Sequence, residues 1–227
     1  MLNPLRKPFP GKELIRDTIV EPLRQFSADR KLDRAIDDLR RGGKDLQALK
    51  RGWRNEGFEG DVRFLEETWA RTPGKCILEC GSGLTTIIAA ARGGEVWCLE
   101  QHAEWAEKVS KVLRRNNLTA NILVAPLKQY DGYVWYDLTG ATIPSAFDLV
   151  ICDGPYVSAE LGADYHKAWR YGVLPQLKNR GVHVKEMLID DLDEPRAVPV
   201  LDRWVREFGL TYEAIRSASG DFAIAKL

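Results

Sequence analysis

A chain of 227 residues with 44% hydrophobic content can bury one substantial core, and its 33 basic and 33 acidic residues leave a formal net charge of zero. That balance, with a pI near 6.8, excludes a global field favouring a nucleic-acid backbone, so nucleic acid is not an expected partner. No window approaches the roughly 18 apolar residues of a membrane span and the start lacks an apolar signal region, so no membrane partner is expected and the protein reads as cytoplasmic. Cys76, Cys80, Cys98 and Cys152 lack CxxC spacing and fall in or at the ends of predicted strands, as small buried thiols do in a reducing compartment.

In chain order, Pro4, Pro8 and Pro10 open an irregular lead. From Glu13 to Arg41, Leu14, Ile15, Ile19, Leu23, Phe26, Leu32, Ile36 and Leu39 recur with a helical period among dense charges. Pro22 and Ser27 interrupt that period, which predicts two or three amphipathic helices. Gly42-Gly43 marks a hinge, and 44–53 reads as a further short helix. Residues 1–60 are expected to form a helical extension or lid whose helices offer a homo-oligomer contact, and residues 61–227 a ligand-binding domain.

Asp61 is placed to cap a helix through about Ala70, and Pro73-Gly74 turns the chain into the first strand. Strands are expected near 75–80, 95–100, 120–125, 147–152 and 181–189, and helices near 84–92, 103–115, 164–178 and 195–208. Such alternation specifies a parallel sheet with helices on both faces. Thr211 to Ile215 and Asp221 to Lys226 flank Ser219-Gly220 as a closing hairpin.

The most informative stretch runs from Cys76 to Thr86: an apolar run, Glu79, then Gly81 and Gly83 before a helix. Glycines there permit a tight turn and close backbone approach to a ligand. Roughly twenty residues on, Glu100 ends the next apolar run, where a carboxylate accepts from ribose hydroxyls. A dinucleotide and S-adenosylmethionine both fit such a unit. Thr86 stands where the dinucleotide fingerprint has its third glycine, which weighs against a pyrophosphate on the helix N-terminus.

The Glu79-x-Gly81-x-Gly83 turn, Glu100, the strand end Ala125-Pro126-Leu127 and the run from Phe147 to Asp153-Gly154-Pro155 resemble the successive motifs of class I S-adenosylmethionine-dependent methyltransferases, over about residues 53 to 227. The resemblance implies an α/β Rossmann-like methyltransferase fold, with a mostly parallel seven-stranded sheet, helices on both faces and an antiparallel seventh strand. It also implies an enzyme methylating a small-molecule or sugar-like acceptor, most simply at oxygen. Gly81, Ser82 and Gly83 would back the methionine part, Glu79 would engage its amino group directly or through water, Glu100 would take the ribose, and Gln101 or Leu127 would lie beside the adenine.

Asp153 emerges after a nearly continuous apolar strand, where donor and acceptor should meet, with Asp190-Asp191 at the end of the next one. Three carboxylates around one point repel unless a cation or proton intervenes. The set Asp153, Asp190 and Asp191 resembles the magnesium ligands of catechol O-methyltransferase and its relatives, although Tyr156 stands where those have a lysine base. The alternatives are a magnesium ion on these three residues, or Asp153 alone as base or orienting group. His166, with Tyr156, Tyr165, Trp169, Arg170 and Tyr171 near it in sequence, is a further candidate base facing the acceptor, and Tyr156 a further catalytic candidate; packing is the other reading of His166. His183 reads as structural, and His102 as an adenine contact or helix cap. Trp53-Arg54-Asn55-Glu56 and Trp135-Tyr136-Asp137 are candidate pocket walls, or else helix packing on the sheet at Trp53 and a hairpin turn at Trp135.

Three other readings stay open. Asp153-Gly154-Pro155-Tyr156 resembles the Asp-Pro-Pro-Tyr signature of amino-methyltransferases acting on a base or an amide, with Gly154 breaking the match. A dehydrogenase would need the missing glycine. A cofactor-binding scaffold without turnover would keep the fold, since fold does not prove activity.

Overall fold

The computed structural model describes residues 21–53, 61–156, 170–218 and 220–227, with side chains from Ser27 onward in the first helix. Helix α1 (Glu21–Arg40) runs unbroken through Ser27, where the sequence suggested an interruption. Ser27 sits on the exposed side, where serine costs only a few tenths of a kcal/mol of helix propensity. Leu32, Ile36 and Leu39 supply the buried face. Helix α2 (Leu46–Gly52) starts at Asp45, whose Oδ1 accepts from the Ala48 amide at 2.8 Å. Its last residue is Gly52, where the two helices approach so closely that a Cβ would lie 2.7 Å from Leu32 Cα. Both helices close on Leu84, Ile87 and Ile88 of α4 (Leu84–Ala91) and on Val109 and Leu113 of α5 (Ala103–Arg115). The apolar positions Leu32, Ile36, Leu39, Leu46 and Leu49 of the described part of the extension are thus used within the chain.

Helix α3 (Val62–Arg71) begins at Asp61 as expected, with the Arg63 amide donating to Asp61 Oδ1 at 3.1 Å. Beyond it the strands are β1 (Cys76–Cys80), β2 (Glu95–Glu100), β3 (Asn121–Val124), β4 (Leu127–Tyr130), β5 (Tyr133–Tyr136), β6 (Ala146–Phe147), β7 (Leu149–Cys152), β8 (His183–Val184), β9 (Glu186–Ile189), β10 (Thr211–Ile215) and β11 (Phe222–Lys226). The remaining helices are α6 (Val173–Asn179) and α7 (Ala197–Phe208), the latter stopped by Gly209 in the left-handed region at φ 70°.

The main sheet has seven strands in the order β10-β11-β9-β7-β1-β2-β3. β11 is antiparallel to β9 and β10, and the other pairs are parallel. This is the Rossmann-like methyltransferase arrangement, closing hairpin included. Central β7 is buried at every position, as a strand covered on both faces must be. Alternation divides β1: Leu78 and Cys80 join a core with Trp135, Leu174 and Trp204, while Ile77 faces Phe64, Ala89 and Phe222.

Three expectations change. The expected strand over 181–189 divides, with β8 pairing to β6 and only β9 in the main sheet. Of the expected helix over 164–178, the described part is α6, and 157–169 lie outside the described residues. The hairpin turn weighed at Trp135 falls instead at Asp131-Gly132, a two-residue turn signal between two aromatic-bearing runs, and Trp135 lies within β5.

Candidate active site

Parallel register aligns Ile189, Cys152, Cys80 and Leu99 in one row across four adjacent strands. The next residue in each strand or turn is therefore Asp190, Asp153, Gly81 or Glu100. The row includes the point where the sheet reverses its strand order, between β1 and β7, where open α/β sheets bind ligands. A cavity of about 900 Å³ opens there, within the range of small-molecule sites. Its wall includes Gly81, Ser82, Gly83, Glu100, Gln101, His102, Trp105, Tyr136, Asp153, Tyr156 and Arg170.

Two backbone turns meet on the floor. The Gly154 amide donates to the Cys80 carbonyl at 2.5 Å. Gly81 has φ 89°, a conformation that glycine adopts without the Cβ penalty. A Cβ on Gly154 would lie 2.6 Å from the Tyr136 hydroxyl and 2.9 Å from the Cys80 carbonyl oxygen. The residue that breaks the Asp-Pro-Pro-Tyr match is therefore demanded by packing.

Glu79 is fully buried beneath the turn and is not on the cavity wall. The Thr85 hydroxyl donates to its Oε1, and Thr86 Oγ1 donates to Oε2 at 2.6 Å while accepting from the Gly83 amide at 2.9 Å. Burial pushes the Glu79 carboxyl up to about 8, against the lowering effect of those hydroxyls. Its geometry is that of a brace for the first turn of α4. Thr86, the residue in place of the third glycine, is the middle of that brace.

Glu100, buried at 5% exposure, does line the cavity. Its Oε2 accepts from the Ser82 amide at 3.0 Å and the Ser82 hydroxyl at 2.8 Å, and its Oε1 accepts from the His102 amide at 2.9 Å. A carboxylate has about four acceptor sites, so one remains on Oε1 for a ligand hydroxyl. Trp105 Nε1 donates to the Ser82 carbonyl at 2.6 Å, and its ring stands edge-on to Trp53 with centroids 6.1 Å apart. Trp53 itself is buried behind this wall, and Arg54, Asn55 and Glu56 lie outside the described residues. Gln101 Nε2 donates to the Tyr156 carbonyl at 2.8 Å, tying the β2 loop to the segment after Asp153. Leu127, expected near an adenine, is half-buried on β4 against the core and does not line the cavity.

On the other side, the Asp153 side chain is 42% exposed to the cavity. The protein around it pushes its carboxyl above the usual range, Arg170 opposes that, and the Asp191 charge adds to it. Asp190 is buried, and burial, with the neighbouring Asp153 and Asp191 charges, pushes it up to about 8. The Arg170 guanidinium, only 4% exposed, stands among them. Its Nη2 donates to the Asp153 carbonyl at 2.5 Å, to Asp153 Oδ1 at 3.3 Å and to Asp191 Oδ2 at 2.5 Å, and its Nη1 donates to the Asp190 carbonyl. Burial works against the Arg170 charge, but Asp191 and Asp153 hold its pKa above the ordinary value.

This geometry gives the magnesium expectation for Asp153, Asp190 and Asp191 no support. Asp153 Oδ1 and Asp191 Oδ2 already receive a guanidinium, and Asp190 presents its backbone carbonyl to it rather than its carboxylate. Among the described residues, no three His, Cys, Asp or Glu side chains are arranged to hold a metal.

Tyr136 lines the cavity while fully buried, and its hydroxyl has no hydrogen-bond partner among the described residues. Its neighbour Trp135 belongs to the core, with Gly172 pressed against the indole. Tyr156 is 61% exposed at the rim. His102 begins α5, its carbonyl accepting from the Ala106 amide at 3.0 Å, and His183 is exposed on β8 away from the cavity. His166 lies outside the described residues, as do Tyr165 and Trp169. Arg170, Trp105 and Arg196 are wall residues to which sequence reasoning gave no role. Arg170 had a signal, because three carboxylates at adjacent strand ends demand a cation. A second hollow of about 310 Å³ over α1 and the end of α5 is built from mutually paired surface charges, with Arg115 on Asp29 and Asp33, and has no such convergence.

No protein-family model and no curated protein matches the sequence. Solved structures do match. Cofactor-bound Rv0187 from MTB is 19% identical, with 97% of this chain and 98% of that one aligned at a TM-score of 0.55. A Klebsiella pneumoniae protein assigned as an O-methyltransferase is 18% identical over 87% of this chain and 89% of that one, at 0.53. The T. thermophilus 16S rRNA methyltransferase RsmC, in complex with AdoMet and guanosine, is 18% identical over 73% of this chain and 42% of that one, at 0.52. Likeness at this level of identity establishes a shared fold.

Proposed function

We propose that this chain, which has the Rossmann-like methyltransferase fold, is an S-adenosylmethionine-dependent methyltransferase acting on a small-molecule acceptor, most simply at a hydroxyl. The observation that carries the reading is the single row that brings the glycine turn, Glu100 and Asp153 onto one cavity. The cavity suits the cofactor. Gly81 leaves the floor open, Glu100 keeps one acceptor site for a ribose hydroxyl, and Trp105 and Gln101 flank the side where an adenine would lie. Among the described residues the wall carries five carboxylates, Glu100, Glu104, Asp153, Asp191 and Glu194, against three cationic side chains, Lys108, Arg170 and Arg196. An acidic wall favours a sulfonium compound over a dinucleotide with its anionic pyrophosphate.

Bound S-adenosylmethionine supplies a methyl group made electrophilic by its sulfonium. The chain's own residues do the rest. Asp153 accepts a hydrogen bond from the acceptor O–H and takes its proton as the oxygen attacks, a role for which a carboxylate pushed above its ordinary range is suited. Tyr156 at the rim and Tyr136 on the wall flank the acceptor space, where aromatic surface excludes water. Methylation at nitrogen through the Asp153–Tyr156 segment has less support, because Gly154 cannot be exchanged for the second residue of that signature without displacing Tyr136.

Calorimetric titration with S-adenosylhomocysteine, in parallel with NAD and repeated on Glu100→Ala, tests the proposal. Binding of S-adenosylhomocysteine alone, weakened in the variant, is the expected result. No binding would sink the methyltransferase reading, and preference for NAD would revive the dehydrogenase.

A further inference from the structure

Three acidic residues follow the carboxyl ends of β7 and β9, and the charge that balances them comes from an arginine. Four features set Arg170 apart from a surface ion pair. It is buried at 4% exposure. It engages two backbone carbonyls, of Asp153 and Asp190, together with two carboxylates. The four acceptors that it meets at Asp153, Asp190 and Asp191 are oxygen atoms, the ligand type a hard divalent ion takes. Its guanidinium stays charged at any working pH and presents donors in a rigid fork, so it fixes directions as well as charge. Asp191 meets it from a left-handed backbone conformation, φ 57°, which is uncommon for a residue with a side chain. Asp153 is gripped at its carbonyl and at Oδ1, which leaves Oδ2 for the acceptor.

We propose that Arg170 is a positioning residue that takes the place of a divalent cation at the transfer site. It holds Asp153 and Asp191 in the arrangement that a metal would otherwise impose. The acceptor is therefore held through one hydroxyl or amine hydrogen-bonded to Asp153, and it need not be a vicinal diol able to chelate an ion. The part of this that concerns methyl transfer rests on the proposed function, and the part that concerns the cation does not.

Electron paramagnetic resonance titration of the full chain with Mn²⁺ separates the two. Wild type is expected to leave Mn²⁺ free at millimolar concentration. Arg170→Ala, which uncovers the carboxylates, is expected to gain one bound ion and to lose it again when Asp153→Asn is added. Mn²⁺ bound by wild type and released by Asp153→Asn would overturn the proposal, as would a folded Arg170→Ala as silent as wild type. Should Arg170→Ala fail to fold, the wild-type and Asp153→Asn titrations decide alone. In a methyl-transfer assay, wild type should be indifferent to EDTA. Arg170→Met should lose about a hundredfold in rate, with Arg170→Lys recovering part of it. Sensitivity of wild type to EDTA, or full activity of Arg170→Met, would count against the role. Absence of S-adenosylhomocysteine binding in the same samples would remove the methyltransferase reading while leaving the cation assignment to the Mn²⁺ result.

Discussion

The two halves of the cavity solve the same electrostatic problem by different means. On the β1–β2 side, Glu79 and Glu100 are held by neutral donors close along the chain: Thr85 and Thr86 for one, Ser82 and His102 for the other. On the β7–β9 side, Asp153 and Asp191 are held by one guanidinium at Arg170, beyond a stretch of chain from each. Hydroxyl and amide donors keep the Glu100 carboxylate in place without cancelling its charge, as the proposed cationic cofactor requires, while burial pushes Glu79 up to about 8. A buried guanidinium cancels charge as well as orienting, so the second half keeps two exposed carboxylates, Asp153 and Asp191, around one positive charge that offsets their mutual repulsion.

Substitutions can break this contrast in order of effect. Asp153→Ala should lower methyl transfer by roughly 10²–10⁴-fold, the usual worth of a general base, while S-adenosylhomocysteine affinity stays near wild type. Unchanged turnover, measured with labelled donor methyl, would remove Asp153 from the mechanism. Glu100→Ala strands the Ser82 and His102 amides, and charged hydrogen bonds contribute about 1.5–3 kcal/mol each. Calorimetry should show binding weakened by at least about tenfold with little change in the rate at saturating cofactor. Gly154→Ala drives a methyl group into Tyr136 and Cys80, an overpacking that costs about 1–3 kcal/mol. Denaturant unfolding should register that loss, and wild-type stability in the variant would contradict the described floor of the site.

The smallest expected effect is a slope. Between its ordinary value of 4.5 and about 8, native Glu79 keeps a proton that the unfolded chain releases. Its burial therefore makes stability fall as pH rises through that window, by up to about 1.4 kcal/mol per pH unit for one proton. Asp190, also pushed up to about 8, acts in the same direction. Glu79→Gln should flatten the part of the slope due to Glu79. A slope unchanged in that variant would mean that the threonine hydroxyls keep Glu79 ionised.

The local features on which both halves depend were readable in one dimension. The Cys76–Thr86 motif, Asp61 as a cap and most of the alternating segments each express a period or a turn chemistry within a few neighbouring residues and reappear as elements, although the 181–189 strand divides. The errors were of another kind. Ser27 broke a pattern without breaking a helix, because packing of Leu32, Ile36 and Leu39 outweighs a propensity of tenths of a kcal/mol. Leu127, one of two residues expected beside an adenine, stands in the β4–β5 hairpin and is not on the cavity wall.

The sequence by itself determined the sheet, the glycine turn and the carboxylates at the strand ends, because strand period and turn chemistry are short-range properties. Tertiary structure alone decided which cation meets those carboxylates. Charge balance can be satisfied by a metal, a proton or a side chain from anywhere in the chain, and only the packing that carries Arg170 between β7 and β9 selects one of them.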